Sequence, residues 1–178
     1  MAKKGLVHIY TGDGKGKTTA AIGLCLRNLA YGNRVLIVQF LKAREKASGE
    51  ILAMSAAFPN VEIRRFGSWI TPETSKEEVE RSHKPRIRTG FKFARRAVSG
   101  GEFDLVVLDE LCVAIKFGLV MEKEALDLIS GKADNTELVI TGRWATKKLI
   151  DAADLVTEMV EIKHPFKSGV AARKGIEY

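Results

Sequence analysis

Five short apolar runs alternate with longer helical patterns, and a glycine-rich phosphate-loop motif stands between the first run and the first helix. Together these predict an α/β fold, a three-layer sandwich with helices on both faces of a mostly parallel central sheet. The runs are LVHIY (6–10), RVLIVQF (34–40), VEIRRF (61–66), DLVVLDE (104–110) and ELVITGR (137–143). They are rich in Val, Ile and Leu without clean alternation, as strands covered on both sides are. Strand–helix alternation of this kind implies βαβ units with right-handed crossovers. With its P-loop, the fold class is P-loop NTPase-like, of the RecA-like kind.

Taken in order, strand 6–10 leads into TTAAIGLCLRNLAYG (18–32), a helix ended by Gly32. After strand 34–40 comes KAREKASGE (42–50), polar and charged, then the helical GEILAMSAAF. After strand 61–66 the pattern SKEEVERSHKPRIRTGFKFARRAVSG (75–100) is helical, with a bend or interruption expected at Pro85. MEKEALDLIS and ATKKLIDAA flank strand 137–143 as further helices, and HPFKSGVAARKGIEY (164–178) forms the tail. Segments 42–50 and 164–178 read as mobile candidate lids, because ligand sites of such sheets form in loops beyond the strands' C-terminal ends. No internal repeat is visible, and 178 residues fit a single domain, 1–178.

The chain is 46% hydrophobic, with no run long enough to cross a membrane and no signal-peptide pattern, so a cytoplasmic protein with no membrane partner is expected. Cys25 and Cys112 show neither metal-ligand nor dithiol spacing and read as buried free thiols. The net charge of +7 suits a polyanionic partner. Its basic residues are scattered and match no nucleic-acid-binding motif, so no nucleic-acid partner is expected and a triphosphate fits better.

YTGDGKGKTT (10–19) carries the chemistry. Gly16-Lys17-Thr18 ends the G-x-x-x-x-G-K-[ST] pattern, but the place of its first glycine holds Thr11, so the loop is one residue short. Gly12, Gly14 and Gly16 allow close backbone approach, and successive N–H groups at a helix N-terminus make an anion nest. The stretch Gly12, Asp13, Gly14, Lys15, Gly16, Lys17, Thr18 and Thr19 is expected to bind ATP. Lys17 supplies positive charge, and the Thr18 hydroxyl is a Mg²⁺ ligand. Lys15 is either a phosphate contact or a solvated side chain. In LVVLDE, Asp109 and Glu110 fall at a strand's C-terminal end, expected beside the P-loop strand, where carboxylates hold a cation directly or through water. Arg143 of TGR points to the same edge, as a phosphate clamp or a surface ion pair. His8, His83 and His164 show no metal-ligand spacing, and His8 reads as a packed or edge histidine. No G-x-S-x-G elbow, H-R-D-type loop or Ser-Lys dyad occurs, so the nucleophile would arrive with a second substrate.

TGDGKGKTTAA, VVLDE, VITGR, ADLVTEM (153–159), KHPF (163–166) and GIEY (175–178) occur in this order along nearly the whole chain. The set resembles the P-loop ATP:corrinoid adenosyltransferases of cobalamin biosynthesis and salvage. That resemblance implies transfer of the 5′-deoxyadenosyl group of ATP to the cobalt(I) of a corrinoid (cobalamin, cobinamide or cobyrinic acid a,c-diamide), with release of tripolyphosphate. It implies ATP reversed in the shortened loop, with Lys17, Thr18 and Glu110 catalytic and Mg²⁺ (or Mn²⁺) held by Thr18, Asp109 and Glu110. Cobalt(I) is nucleophilic enough to need no base. Trp69 and Phe66, in RRFGSWIT (64–71), would face the corrinoid, although Gly67 stands where the second ring of the family's aromatic pair is expected. The other reading of Trp69 is a core anchor beneath a loop. A flavodoxin-type reductant and a homodimer are the partners the resemblance implies. The rivals are a phosphotransferase or RecA-like NTPase, which would release phosphate or ADP, and a nucleic-acid module with steeply salt-dependent binding.

Overall fold

The computed structural model describes residues 4–42, 48–71 and 73–176. Six strands, β1 (Val7–Thr11), β2 (Val35–Phe40), β3 (Val61–Phe66), β4 (Leu105–Asp109), β5 (Glu137–Thr141) and β6 (Leu155–Glu158), form one sheet in the order β3-β2-β4-β5-β1-β6. Every pairing is parallel. The five apolar runs each became a strand. The sixth strand was not foreseen: Leu155–Glu158 is exposed throughout, an edge strand without an apolar run.

Strand alternation sorts the core into two layers. On one face Val35, Ile37, Leu105, Val107 and Val139 pack with Ala21, Ile22, Cys25 and Leu29 of α1 (Lys17–Leu29) and Ile51 and Met54 of α2 (Gly49–Ala57). On the other, Leu36, Val38, Val106, Leu108, Leu138 and Ile140 meet Ile87, Phe91, Ala94 and Val98 of the helix Lys84–Gly100. That helix is α4; it continues from α3 (Lys76–Glu78) through a π-helical turn, Val79–His83. Because the helical run is continuous from α3, Pro85 cannot donate to the turn before it, and the expected disturbance appears as the π turn just ahead of the proline. Three further helices cover the second face: α5 (Leu111–Lys116), α6 (Glu122–Ser130) and α7 (Lys147–Asp151).

β4 is not beside the P-loop strand as expected: β5 lies between, paired with β4 on one side and β1 on the other. Leu138, Val139 and Ile140 are fully buried there, which suits an interior strand. Cys25 and Cys112 are both buried free thiols, with burial pushing each up to about 12. Of segment 42–50, residues 43–47 lie outside the described residues, and Gly49 and Glu50 open α2. Of segment 164–178, Pro165–Ser168 form a 3₁₀ turn, and residues 177 and 178 lie outside the described residues. Among the described residues no helix is long and apolar enough to cross a membrane.

Candidate active site

A cavity of about 830 Å³ opens along the C-terminal edge of the sheet. Its walls include Asp13, Gly14, Lys15, Gly16, Lys17, Thr18 and Thr19 from the P-loop, with Glu110, Arg143 and Trp69 from other elements. This is where a parallel sheet presents its ligand site.

The shortened loop is shaped by its contact with the chain after β6. The Gly14 N–H donates to the Met159 carbonyl at 2.7 Å, and the Met159 N–H donates to Thr11 O at 2.9 Å. A Cβ on Gly12 would stand 2.4 Å from that Met159 oxygen, and one on Gly14 2.7 Å. The glycines are thus needed for the approach of the ADLVTEM segment as well as for an anion nest. Lys17 donates from Nζ to the carbonyls of Gly12 (2.7 Å) and Gly14 (2.6 Å), which holds its charge within the loop. Burial, followed by the nearby Arg143 charge, lowers the Lys17 pKa, while Glu110 and Asp13 oppose the shift. Lys15 donates to the Ile176 carbonyl at 2.8 Å, so GIEY meets the loop directly.

Asp109, 1% exposed, is held from three sides. Thr18 Oγ1 and Thr141 Oγ1 donate to its Oδ1 at 2.8 and 2.7 Å, and Gln39 Nε2 donates to Oδ2 at 3.0 Å. Thr18 bridges from α1 past the intervening β5. Glu110 follows with φ 63°, and its N–H donates to Thr141 Oγ1 at 3.0 Å. Burial, reinforced by Asp109, raises the Glu110 pKa; Lys42, 3.9 Å from its carboxylate, counters that, as do Lys17 and Arg143. Thr18, Asp109 and Glu110 present the hard oxygen donors that suit Mg²⁺, and the Thr18 oxygen keeps a lone pair while donating its proton to Asp109. Among the described residues no three His, Cys, Asp or Glu side chains gather as a metal cluster, so a cation here would take its remaining ligands from phosphate and water.

Arg143 Nη2 donates to the Asp13 carbonyl at 3.1 Å and its Nε lies 3.9 Å from Asp13 Oδ1, so it reaches the P-loop rather than an unrelated surface acid. Trp69 is 55% exposed and lines the cavity, which removes the core-anchor reading. Phe66 does not join it. Strand alternation turns Phe66 away from Arg65, which lines the cavity, and onto α4, with its ring 6.2 Å from Phe93 and against Gly90. His164 lines the cavity, and its Nδ1 accepts from the Phe166 N–H at 3.2 Å. His8 packs at the β1–β5 ladder, with Nε2 2.5 Å from Glu137 Oε1.

Several site residues were missed. Gln39, Lys42 and Thr141 stand at the ends of β2 and β5, and Trp144 follows TGR directly. The available signal was position, since each stands at or just past the C-terminal end of a recognisable strand. Backbone strain marks the same edge. The non-glycine residues with positive φ among those described are Leu41, Glu110 and Trp144, which follow β2, β4 and β5. Such outliers gather at functional sites.

Residues 3–178 match the family model described as ATP:corrinoid adenosyltransferase BtuR/CobO/CobP. The chain is 34% identical to a corrinoid adenosyltransferase of Pseudomonas aeruginosa over 99% of its own length and 85% of that protein's. A corrinoid adenosyltransferase of a Sinorhizobium species is 35% identical, with 99% and 81% covered. The corrinoid adenosyltransferase CobA of Salmonella typhimurium is 31% identical, with 99% and 87% covered.

Proposed function

Because the chain belongs to the ATP:corrinoid adenosyltransferase family BtuR/CobO/CobP, we propose that it transfers the 5′-deoxyadenosyl group of ATP to the cobalt(I) of a corrinoid in cobalamin biosynthesis or salvage. The observation that carries this reading is one cavity walled by the P-loop at one end and by Trp69 at the other. Four strand spacings, about 19 Å in all, separate β1 from β3, which leaves room for a triphosphate and a second, flat substrate side by side.

In the reaction the cobalt(I) electron pair forms the Co–C5′ bond. The C5′–O bond breaks, and its electron pair leaves on tripolyphosphate. Lys17, the loop N–H groups other than that of Gly14, which the Met159 carbonyl holds, and Arg143 neutralise charge growing on that leaving group. Thr18 and Glu110, with Asp109 fixing Thr18, would hold Mg²⁺ (or Mn²⁺), which when bound supplies further charge neutralisation. Trp69 offers an apolar face for the corrin and favours cobalt that has lost its lower axial ligand. A flavodoxin-type reductant would deliver the electron that makes cobalt(I). A homodimer, supported by the exposed Val160, Ile162, Phe166 and Val170 beyond β6, and a cytoplasmic location complete the reading.

Incubation with ATP, Mg²⁺ and chemically reduced cob(I)alamin tests it. Tripolyphosphate and a new cobalt–carbon absorption spectrum are expected. Orthophosphate with ADP, and no alkylated corrinoid, would make the protein a phosphotransferase or NTPase instead.

A further inference from the structure

Trp144 holds a conformation that favours glycine, with φ 62°. A bulky side chain there is an outlier, since the left-handed region crowds its Cβ against the following carbonyl. The strain persists because the turn is pinned on all sides. The Gly142 N–H donates to Tyr10 O at 3.1 Å, and a Cβ on Gly142 would stand 2.9 Å from Cys112 Cβ. The Ala145 N–H donates to Thr11 Oγ1 at 3.3 Å, and Thr146 caps α7. Glycine would keep this turn at no cost, yet a tryptophan stands in it. Its ring meets Phe117 edge-to-face, centroids 6.3 Å apart, while 47% of the residue stays exposed on the cavity wall. Phe117 sets the plane of the ring and the cavity leaves it accessible.

Position decides which substrate meets it. β5 neighbours β1, and the adjacent Arg143 bonds the P-loop at Asp13, so Trp144 stands on the loop's side of the cavity, away from Trp69 at the β3 end. We propose that Trp144 is the stacking platform for the adenine of ATP, and so a positioning residue that aims C5′ while the phosphates sit in the loop. The inference rests on the adenosyltransferase reading above. Stacking of a base on an aromatic face is strong enough to order an otherwise free nucleoside.

The chain has two tryptophans, so Trp69→Phe leaves Trp144 as its only one. In that background, ATP should quench or shift the Trp144 emission, whereas tripolyphosphate, which offers the loop the same anion without a base, should not. Equal responses to both, or none to ATP while equilibrium dialysis shows it bound, overturn the platform and leave the adenosyltransferase reading standing. Failure of wild-type protein to bind ATP at all overturns both. In parallel, Trp144→Gly should raise the KM for ATP about fivefold or more, leave the KM for the corrinoid unchanged, and keep or raise the Tm because strain is relieved. Trp144→Phe should restore the ATP value to within about twofold. A lowered Tm with both KM values raised would make the ring a packing element and nothing more.

Discussion

The Thr18 hydroxyl donates to Asp109 Oδ1 across 2.8 Å, tying the first turn of α1 to a strand two places away from β1 in the sheet. One bond thus joins the phosphate-binding half of the site to its acidic half. Thr18→Ala should remove both this link and a candidate cation ligand, and Lys17→Ala should remove the charge inside the loop. Each should lower adenosyl transfer by about 10²-fold or more, the usual loss for a preorganised charge contact. Thr18→Ser, which keeps the hydroxyl, should retain most activity. Single-turnover rates from supplied cobalt(I) check this, and wild-type rates in either alanine variant would remove the loop from the chemistry.

Glu110 predicts opposite effects on stability and activity. Burial raises its folded-state pKa above the unfolded value, so the folded chain binds the proton more tightly. Stability therefore falls as pH rises from the unfolded value through the folded one, and the ionised form destabilises the fold at neutral pH. Glu110→Gln should flatten that part of the pH–Tm profile and match or exceed wild-type Tm at pH 7 in chelator. Activity and its Mg²⁺ dependence should fall together. An unchanged Mg²⁺ dependence would exclude Glu110 from the cation site.

The close approach of Met159 makes Gly12 and Gly14 intolerant of any side chain. Gly12→Ala combines overlap with a positive φ of 93° and should cost about 1–3 kcal/mol. Gly23→Ala is the control, because a Cβ there meets nothing and alanine in a helix gains up to about 1 kcal/mol over glycine. Urea unfolding of the three proteins measures the difference; equal stabilities would mean that the loop yields to the intruding methyl.

Trp69→Ala should slow the reaction begun from cobalt(II) with a mild flavoprotein reductant by about tenfold, the rate equivalent of the ~1.5 kcal/mol upper value for an aromatic contact. With cobalt(I) from a strong chemical reductant the loss should be small, since the difficult reduction is bypassed. At 55% exposure the side chain contributes little packing, so the Tm should hold. Equal losses in both assays with a lower Tm would return Trp69 to a structural role.

β2, β4 and β5 were legible because burial on both faces leaves near-uninterrupted Val, Ile and Leu. β1 and the edge strand β3 were legible because Val7 and Ile9, and Val61 and Ile63, still recur at every second position. β6 was not, since an exposed edge strand such as Leu155–Glu158 carries no such run. α5 was hidden for the converse reason: Leu111, Cys112, Val113 and Ala114 are all buried, so the helix merges in sequence with the apolar strand before it. Of the site, the loop, Asp109, Glu110 and Arg143 were readable because each belongs to a contiguous motif. Gln39 and Thr141 were not, because only the sheet brings them to Asp109. Phe66 was misassigned for want of the strand's phase, which sends Arg65 to the cavity and its neighbour to α4.

The sheet order has a consequence for biosynthesis. β1 is made early, yet it pairs with β5 on one side and β6 on the other, and its loop leans on Met159. A ribosome-bound chain that has not yet released β5 and β6 therefore lacks both neighbours of the strand that ends in the P-loop. The loop gains its supports on both sides only after β5 and β6 have emerged. The phosphate site is written near the start of the described chain and completed late in synthesis, so protein truncated ahead of Leu155 would be expected to carry a loop without its Met159 support.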